Sequence, residues 1–386
     1  MSYGENGNDD IPSYSYINYF NITNSNDQAS LVPSALGNSE ISWEKNSKFN
    51  IGFDFSMLRG RINGSIEYYA NKTNDMLSWF SLPGSFGYTG YYANVGDMVN
   101  NGVEIDLRGD VISTKDLTWS IYANVTTNHN EVTKLPEERK TMHVDGVAGY
   151  QSGGYYFGEG ISRYTMFIHK FAGVDPETGE SLWYKNIYET NTDGSTKTDA
   201  AGNPIVKEVT TTKTYGEADD YLSDDVLPDF YGGFGTSLAW KGIDVSVDFT
   251  YQLGGKVMDS TYSGLMGLGR GYGIHVDQLN AWSPTNKTSQ IPRYQYGDSY
   301  MNGSSDRFLI SASYLTLQNI TVGYTLPSSW VRRIGVQKLR VYAVGDNIWT
   351  WSKRQGLDPR QSITGSNTNS YYSSIRTISG GITVTF

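Results

Sequence analysis

The chain has 386 residues, a formal net charge of −10, 30 tyrosines, 9 tryptophans, 43 glycines and no cysteine. The acidic balance leaves no basic footprint for nucleic acid, and the lack of cysteine excludes disulfides and thiolate metal centres. No apolar run approaches the ~20 residues of a membrane helix, but a mean hydropathy of −0.45 is compatible with a membrane β-barrel, where only alternate strand residues meet lipid and the loops are polar.

In chain order, residues 1–45 read as an outer loop, and the opening MSYGENGNDD lacks the basic start and apolar stretch of a signal peptide. Period-two runs then follow. KFNIGFDFSML (48–58) places Ile51, Phe53, Phe55 and Met57 on one face. The 61–72 run groups Ile62, Ile66 and Tyr68; the 102–110 run sets Val103, Ile105 and Leu107 against Glu104, Asp106 and Arg108. The 117–128 run groups Leu117, Trp119, Ile121 and Val125, and the 229–240 run Phe230, Phe234, Leu238 and Trp240. GIDVSVDFTYQLGG (242–255) alternates without a slip: Ile243, Val245, Val247, Phe249, Tyr251 and Leu253 against Asp244, Ser246, Asp248, Thr250 and Gln252. Runs at 308–326, 339–348 and 372–386 complete about nine strands between 46 and 386. Within 308–326, Ile320, Val322, Tyr324 and Leu326 share a face while Leu315 and Leu317 fall opposite, so the first half of that run is expected to be covered on both sides. Most runs are longer than the ~5–6 residues of a soluble strand and match the ~9–11 of a tilted membrane strand.

The connections sort by length. Those at 59–60, 113–116 and 241–242 are tight and 327–338 is moderate, whereas 73–101, 130–228, 254–307 and 350–371 run from roughly twenty to a hundred residues, the pattern of short periplasmic turns and long extracellular loops. The 130–228 connection is expected to be extracellular, with 163–171 and 180–188 forming a hairpin, 191–204 an exposed tip and 275–282, beyond it, a short helix stopped by Pro284. The predicted fold is therefore all-β: a transmembrane antiparallel up-and-down β-barrel filling 1–386. Nine is an odd strand count, so the chain is read as the C-terminal part of a longer barrel protein. The competing architecture is a soluble or surface-attached β-sandwich, an adhesin or carbohydrate-binding protein, with its apolar strand faces packed on one another.

Eight ordered blocks carry a family resemblance: SWEKNSKFNIGFDFSMLRGRINGSIEYYANKTNDML (42–77), NVGDMVNNGVEIDL (94–107), AGVDPETGE (172–180), LPDFYGGFGTSLAWKGIDVSVDFTYQLGG (227–255), SASYLTLQNITVGYTLP (311–327), VYAVGDNIWTW (341–351), GLDPR (356–360) and the terminal GITVTF. Together they resemble the C-terminal half of the SusC/RagA family of TonB-dependent transporters of Bacteroidota. The resemblance implies a 22-stranded outer-membrane barrel, a plug domain and TonB box outside this chain, and a SusD-like lipoprotein partner that helps capture glycans or peptides, glycans being favoured. It also implies energisation by the TonB complex and insertion by the barrel assembly machinery into outer-membrane lipid. GLDPR departs from the family pattern in ending on Arg360, where an acidic residue is common.

The chemistry-bearing residues fit passage rather than catalysis, and no enzyme activity or cofactor is expected. Asp244 and Asp248 sit four apart on one strand face, but no partner stands at catalytic spacing, and they are read as lumen-facing carboxylates. His129, His143, His169 and His275 are scattered without a metal-binding motif, so no metal is expected. GLGRGYG (267–273) fails the dinucleotide pattern at Tyr272 and reads as an outer loop; VDPETG (174–179) reads as a turn rather than a Ca²⁺ loop. Two aromatic clusters in long connections, with Trp79, Phe80, Tyr91 and Tyr92 in one and Tyr155 and Tyr156 in the other, are the candidate substrate contacts. Phe386, with Ile382 and Val384 on its face, resembles the C-terminal barrel-insertion signal.

Overall fold

The period-two runs become neighbouring strands of one antiparallel sheet. The structure is a computed structural model that describes residues 1–25, 27–268, 273–298, 300–365 and 373–386. Ten strands follow one another across the sheet: β1 (Ser2–Asn8), β2 (Glu44–Met57), β3 (Ile62–Asn74), β4 (Asp97–Ser113), β5 (Leu117–Thr127), β6 (Phe230–Trp240), β7 (Ile243–Leu253), β8 (Tyr314–Thr325), β9 (Lys338–Ser352) and β10 (Thr377–Thr385). An eleventh, His129–Lys134, pairs beside the start of β4. Each of the ten pairs with the next of them in sequence, even across the two longest connections, an up-and-down order.

The register lines up the two faces across the wall. One outward row runs Ile121, Thr236, Val247, Ile320, and another runs Trp119, Leu238, Val245, Val322. These apolar faces are not covered by a second layer: Phe53 is 66% exposed, Val322 47% and Ile382 66%. A β-sandwich would bury this surface against another sheet, so the sandwich architecture is excluded. The deeply buried side chains, Val132, Tyr156, Trp183, Met266, Met301 and Phe308, lie instead in the long connections. The wall is thus apolar outside and polar inside, as a membrane barrel requires.

Turns at one end are tight because the residues there accept positive φ. Lys241 and Gly242 have φ of 46° and 91°, the left-handed pair that a two-residue hairpin turn needs. Three readings change. Residues 2–8, expected within an outer loop, form β1, with Ser2 opposite Asn50 and Asn8 opposite Glu44; all seven residues are exposed, so this strand has no apolar face to leave a period-two signal. Leu315 and Leu317 do not oppose Ile320: a β-bulge at Gln318 shifts the register, so that Phe249 faces Leu317 while Val247 faces Ile320, and all four share the outer face. The segments 163–171 and 180–188 pair only at one end, where Phe171 stands opposite Trp183 and the Tyr184 N–H donates to the Lys170 carbonyl. Thr165–His169 pairs with Asp220–Asp225, and Phe171–Val174 turns back onto Ser181–Tyr188. The expected loop helix is a 3₁₀ turn, Val276–Asn280. Positions 269–272 of the glycine-rich loop and Tyr372, the expected start of the last strand, lie outside the described residues.

Candidate functional site

The inner face of the wall is hydrophilic and uses glycine to let long side chains lie flat. Asp248 stands opposite Gly235, which stands opposite Tyr122. The Tyr122 phenol crosses above Gly235 and donates to Asp248. A Cβ at Gly235 would lie 2.6 Å from both Tyr122 Cζ and Asp248 Oδ1. Gly235→Ala is therefore expected to displace the phenol and cost about 1–3 kcal/mol, read as a lower melting temperature of the purified barrel. The same device recurs at Asp244. Arg340 donates to it through Nε at 3.0 Å and through a second, closer nitrogen, and both side chains pass over Gly323, whose Cβ would meet Asp244 Oδ2 at 2.6 Å. Asp244 and Asp248 share the inner face, each already held by a wall residue, with Glu104, Asp106 and Arg108 on that face nearby.

Above the wall, the aromatic residues sort by strand face. Leu77–Ser81 and Gly90–Asn94 form a hairpin in which Trp79 faces Tyr92 and Phe80 faces Tyr91. Successive residues point to opposite sides. Trp79 and Tyr92 meet edge to face at 5.1 Å and, with Pro12, Tyr19, Asn21 and Leu36, line a cavity of about 270 Å³. Phe80 and Tyr91 pack at 4.9 Å on the other side, where Arg139 lies on the Phe80 ring.

Arg139 joins the two clusters. Its guanidinium is 4.9 Å from the centroid of Tyr150, and Tyr150 stacks on Phe157 at 5.0 Å and 14°. Burial between rings brings the Arg139 pKa down to about 10, leaving it charged at neutral pH, and burial raises that of Tyr150. The second cluster is only partly available to a solute. Tyr155 is half-buried and donates to the Thr364 carbonyl at 2.6 Å. Tyr156 is 0% exposed and its hydroxyl donates to the carbonyls of Met142 and Val147. Tyr156 is thus a core residue, a correction to its place among the substrate contacts; a strand inside the long 130–228 connection buries one of its faces, which the local sequence did not reveal.

One cavity carried no sequence signal, and one turn did. A cavity of about 390 Å³ is lined by His143, Asp145, Tyr188, Asp219, Asp220 and Tyr221, residues spread over roughly eighty positions. The Asp175 carboxylate of VDPETG accepts from the backbone of Glu177 and Thr178 and pairs with Lys213 at 2.6 Å. That pairing, with the backbone donors, holds its pKa down to about 2, as befits a turn residue. Arg360 of GLDPR also gains a role: it is held by Asp358 at 2.8 Å and reaches Gln318 and Asn347 at 3.4 and 3.3 Å, tying together irregular points of β8 and β9. Phe386 is 83% exposed, just beyond β10.

The family model described as TonB dependent receptor-like, beta-barrel, matches residues 2–348. TonB-dependent receptor P3 of Formosa agariphila is 27% identical over 405 aligned positions, covering 100% of this chain and 39% of that protein. TonB-dependent receptor SusC of Bacteroides thetaiotaomicron is 29% identical over 330, covering 83% of this chain and 30% of that protein. The structure of the RagAB peptide transporter superposes with a TM-score of 0.79 at 28% identity, over 100% of this chain and 40% of that one. The chain spans about two fifths of the length of P3 and of the RagAB chain. An outward apolar wall, an inward polar face and a match over most of the sequence place this chain in the TonB-dependent receptor β-barrel family, of the SusC/RagA type, an outer-membrane fold.

Proposed function

We propose that this chain supplies wall and outer loops to an importer that takes up a nutrient across the outer membrane, an oligosaccharide in the first reading, with a SusD-like lipoprotein as partner. The observation that carries this reading is the hydrophilic inner face, from Glu104 and Asp106 to Asp244 and Asp248, in the same chain as an aromatic-lined outer cavity at Trp79 and Tyr92. A hydrated passage suits a polar solute, and flat rings suit the apolar faces of sugars. Energy would come from the TonB complex acting on protein outside this chain, and the barrel assembly machinery would read Phe386. A peptide is the second reading, favoured by the likeness to a structure described as a peptide transporter.

Uptake by cells tests the reading. A deletion strain complemented with the full-length gene should accumulate labelled oligosaccharide or peptide only while the proton gradient is intact; uptake that survives a protonophore would defeat it. Trp79→Ala should weaken solute binding about fivefold, roughly 1 kcal/mol, with an unchanged melting temperature; calorimetric titration reads this. Deleting Phe386 should lower the amount of folded barrel in outer-membrane fractions several-fold, seen as loss of the heat-modifiable gel band.

A further inference from the structure

The guanidinium groups of Arg139 and Arg163 lack, among the described residues, the acceptor that an arginine ordinarily finds. Arg340, Arg354 and Arg360 each pair with a carboxylate. The side chains of Arg139 and Arg163 do not: among the described residues each touches aromatic rings alone. The Phe80 and Tyr150 rings both lie against the Arg139 guanidinium; Phe157 stacks behind Tyr150, and Arg163 follows at 5.3 Å from Phe157 and 5.2 Å from Tyr164. The Nε of Arg139 is buried without a hydrogen-bond partner among the described residues, an arrangement that costs free energy and shows that the surrounding loops supply this guanidinium with no acceptor there. Nearby acids do not supply one. Glu137 and Glu159 both pair with Lys140, and the neighbouring Glu138 is exposed and makes no ion pair among the described residues.

A guanidinium donates only within its plane; Arg139 is partly exposed, and with Nε buried its accessible surface is the terminal Nη1–Nη2 edge. That edge presents parallel N–H donors whose spacing matches the two oxygens of a carboxylate. The rings also fix the rotamer before binding, so little side-chain entropy is lost. We propose that Arg139, framed by Phe80 and Tyr150, recognises a carboxylate on the imported solute, with Arg163 raising the local positive potential. An oligosaccharide bearing uronic acids and a peptide with a free C-terminus both carry this group.

The proposal rests on the importer reading, but binding is measurable without energised uptake. The full-length transporter in detergent is titrated calorimetrically with trigalacturonate and its methyl ester, and with pentaalanine and its C-terminal amide. One carboxylate probe should bind at least about tenfold more tightly than its neutral counterpart, and which one it is separates uronate from peptide. Arg139→Gln should abolish that preference while leaving the neutral probe within about twofold. Arg139→Lys, which keeps the charge and loses the planar fork, should retain the melting temperature and reduce the preference at least about threefold. If Arg139→Gln disrupts the loops, the lysine variant decides alone. No binding of any probe, equal binding of charged and neutral probes, an unchanged preference in the deciding variant, or equal weakening of both probes would each overturn the proposal; the last marks Arg139 as a structural staple. Loss of gradient-dependent uptake with the carboxylate preference intact would count against the importer reading alone.

Discussion

Val247→Lys is expected to cost about 2–4 kcal/mol of barrel stability, whereas Ser246→Lys, one residue away, costs less than about 1 kcal/mol. Val247 lies on the outward face between Thr236 and Ile320, in a row continued by Ile121. A lysine there would place its ammonium in hydrocarbon near the middle of the strand. Ser246 lies on the inward face between Ser237 and Thr321, small neighbours beside water. Urea unfolding of the refolded full-length barrel in lipid reads the difference. Asp248, the obvious inward partner for this comparison on sequence grounds, is a poorer control because it holds the Tyr122 hydroxyl over Gly235.

Arg360→Ala should be the most damaging change in the outer loops, costing about 3 kcal/mol locally. It strands the Asp358 carboxylate, which is 6% exposed and would keep the backbone N–H groups of Arg360 and Ser374 as donors. It also releases Gln318 and Asn347, at irregular points of β8 and β9. Amide exchange should accelerate at 314–320 and 346–361 and stay unchanged in β5 to β7. Uniform acceleration across the wall would show that Arg360 acts globally rather than on this junction.

The wall was legible in the sequence because lipid on one side and water on the other impose a strict period of two. Ile243 to Leu253 declared both faces of β7 unaided. The signal failed wherever that asymmetry ends. SYGENGN of β1 is exposed throughout and so has no apolar face to announce. Gln318 adds one residue to β8, and a bulge leaves no compositional mark, so Leu315 and Leu317 read as opposed to Ile320 although they share its face. The outer loops hide more, because their contacts are distant in sequence. Trp79, Phe80, Tyr91 and Tyr92 were visible as a cluster, but nothing local shows that Arg139 bridges Phe80 to Tyr150, or that Tyr156 is wholly buried.

The orientation of β7 tests the central claim most directly, and these 386 residues contribute no native cysteine to the measurement. Single cysteines at Asp244, Val245, Ser246, Val247, Phe249 and Thr250 in the full-length protein, spin-labelled in liposomes, are read for collision with oxygen and with a water-soluble nickel chelate. Labels at 245, 247 and 249 should favour oxygen and those at 244, 246 and 250 the chelate. Equal access along the strand, or the opposite phase, would contradict an outer-membrane wall with its apolar face in lipid.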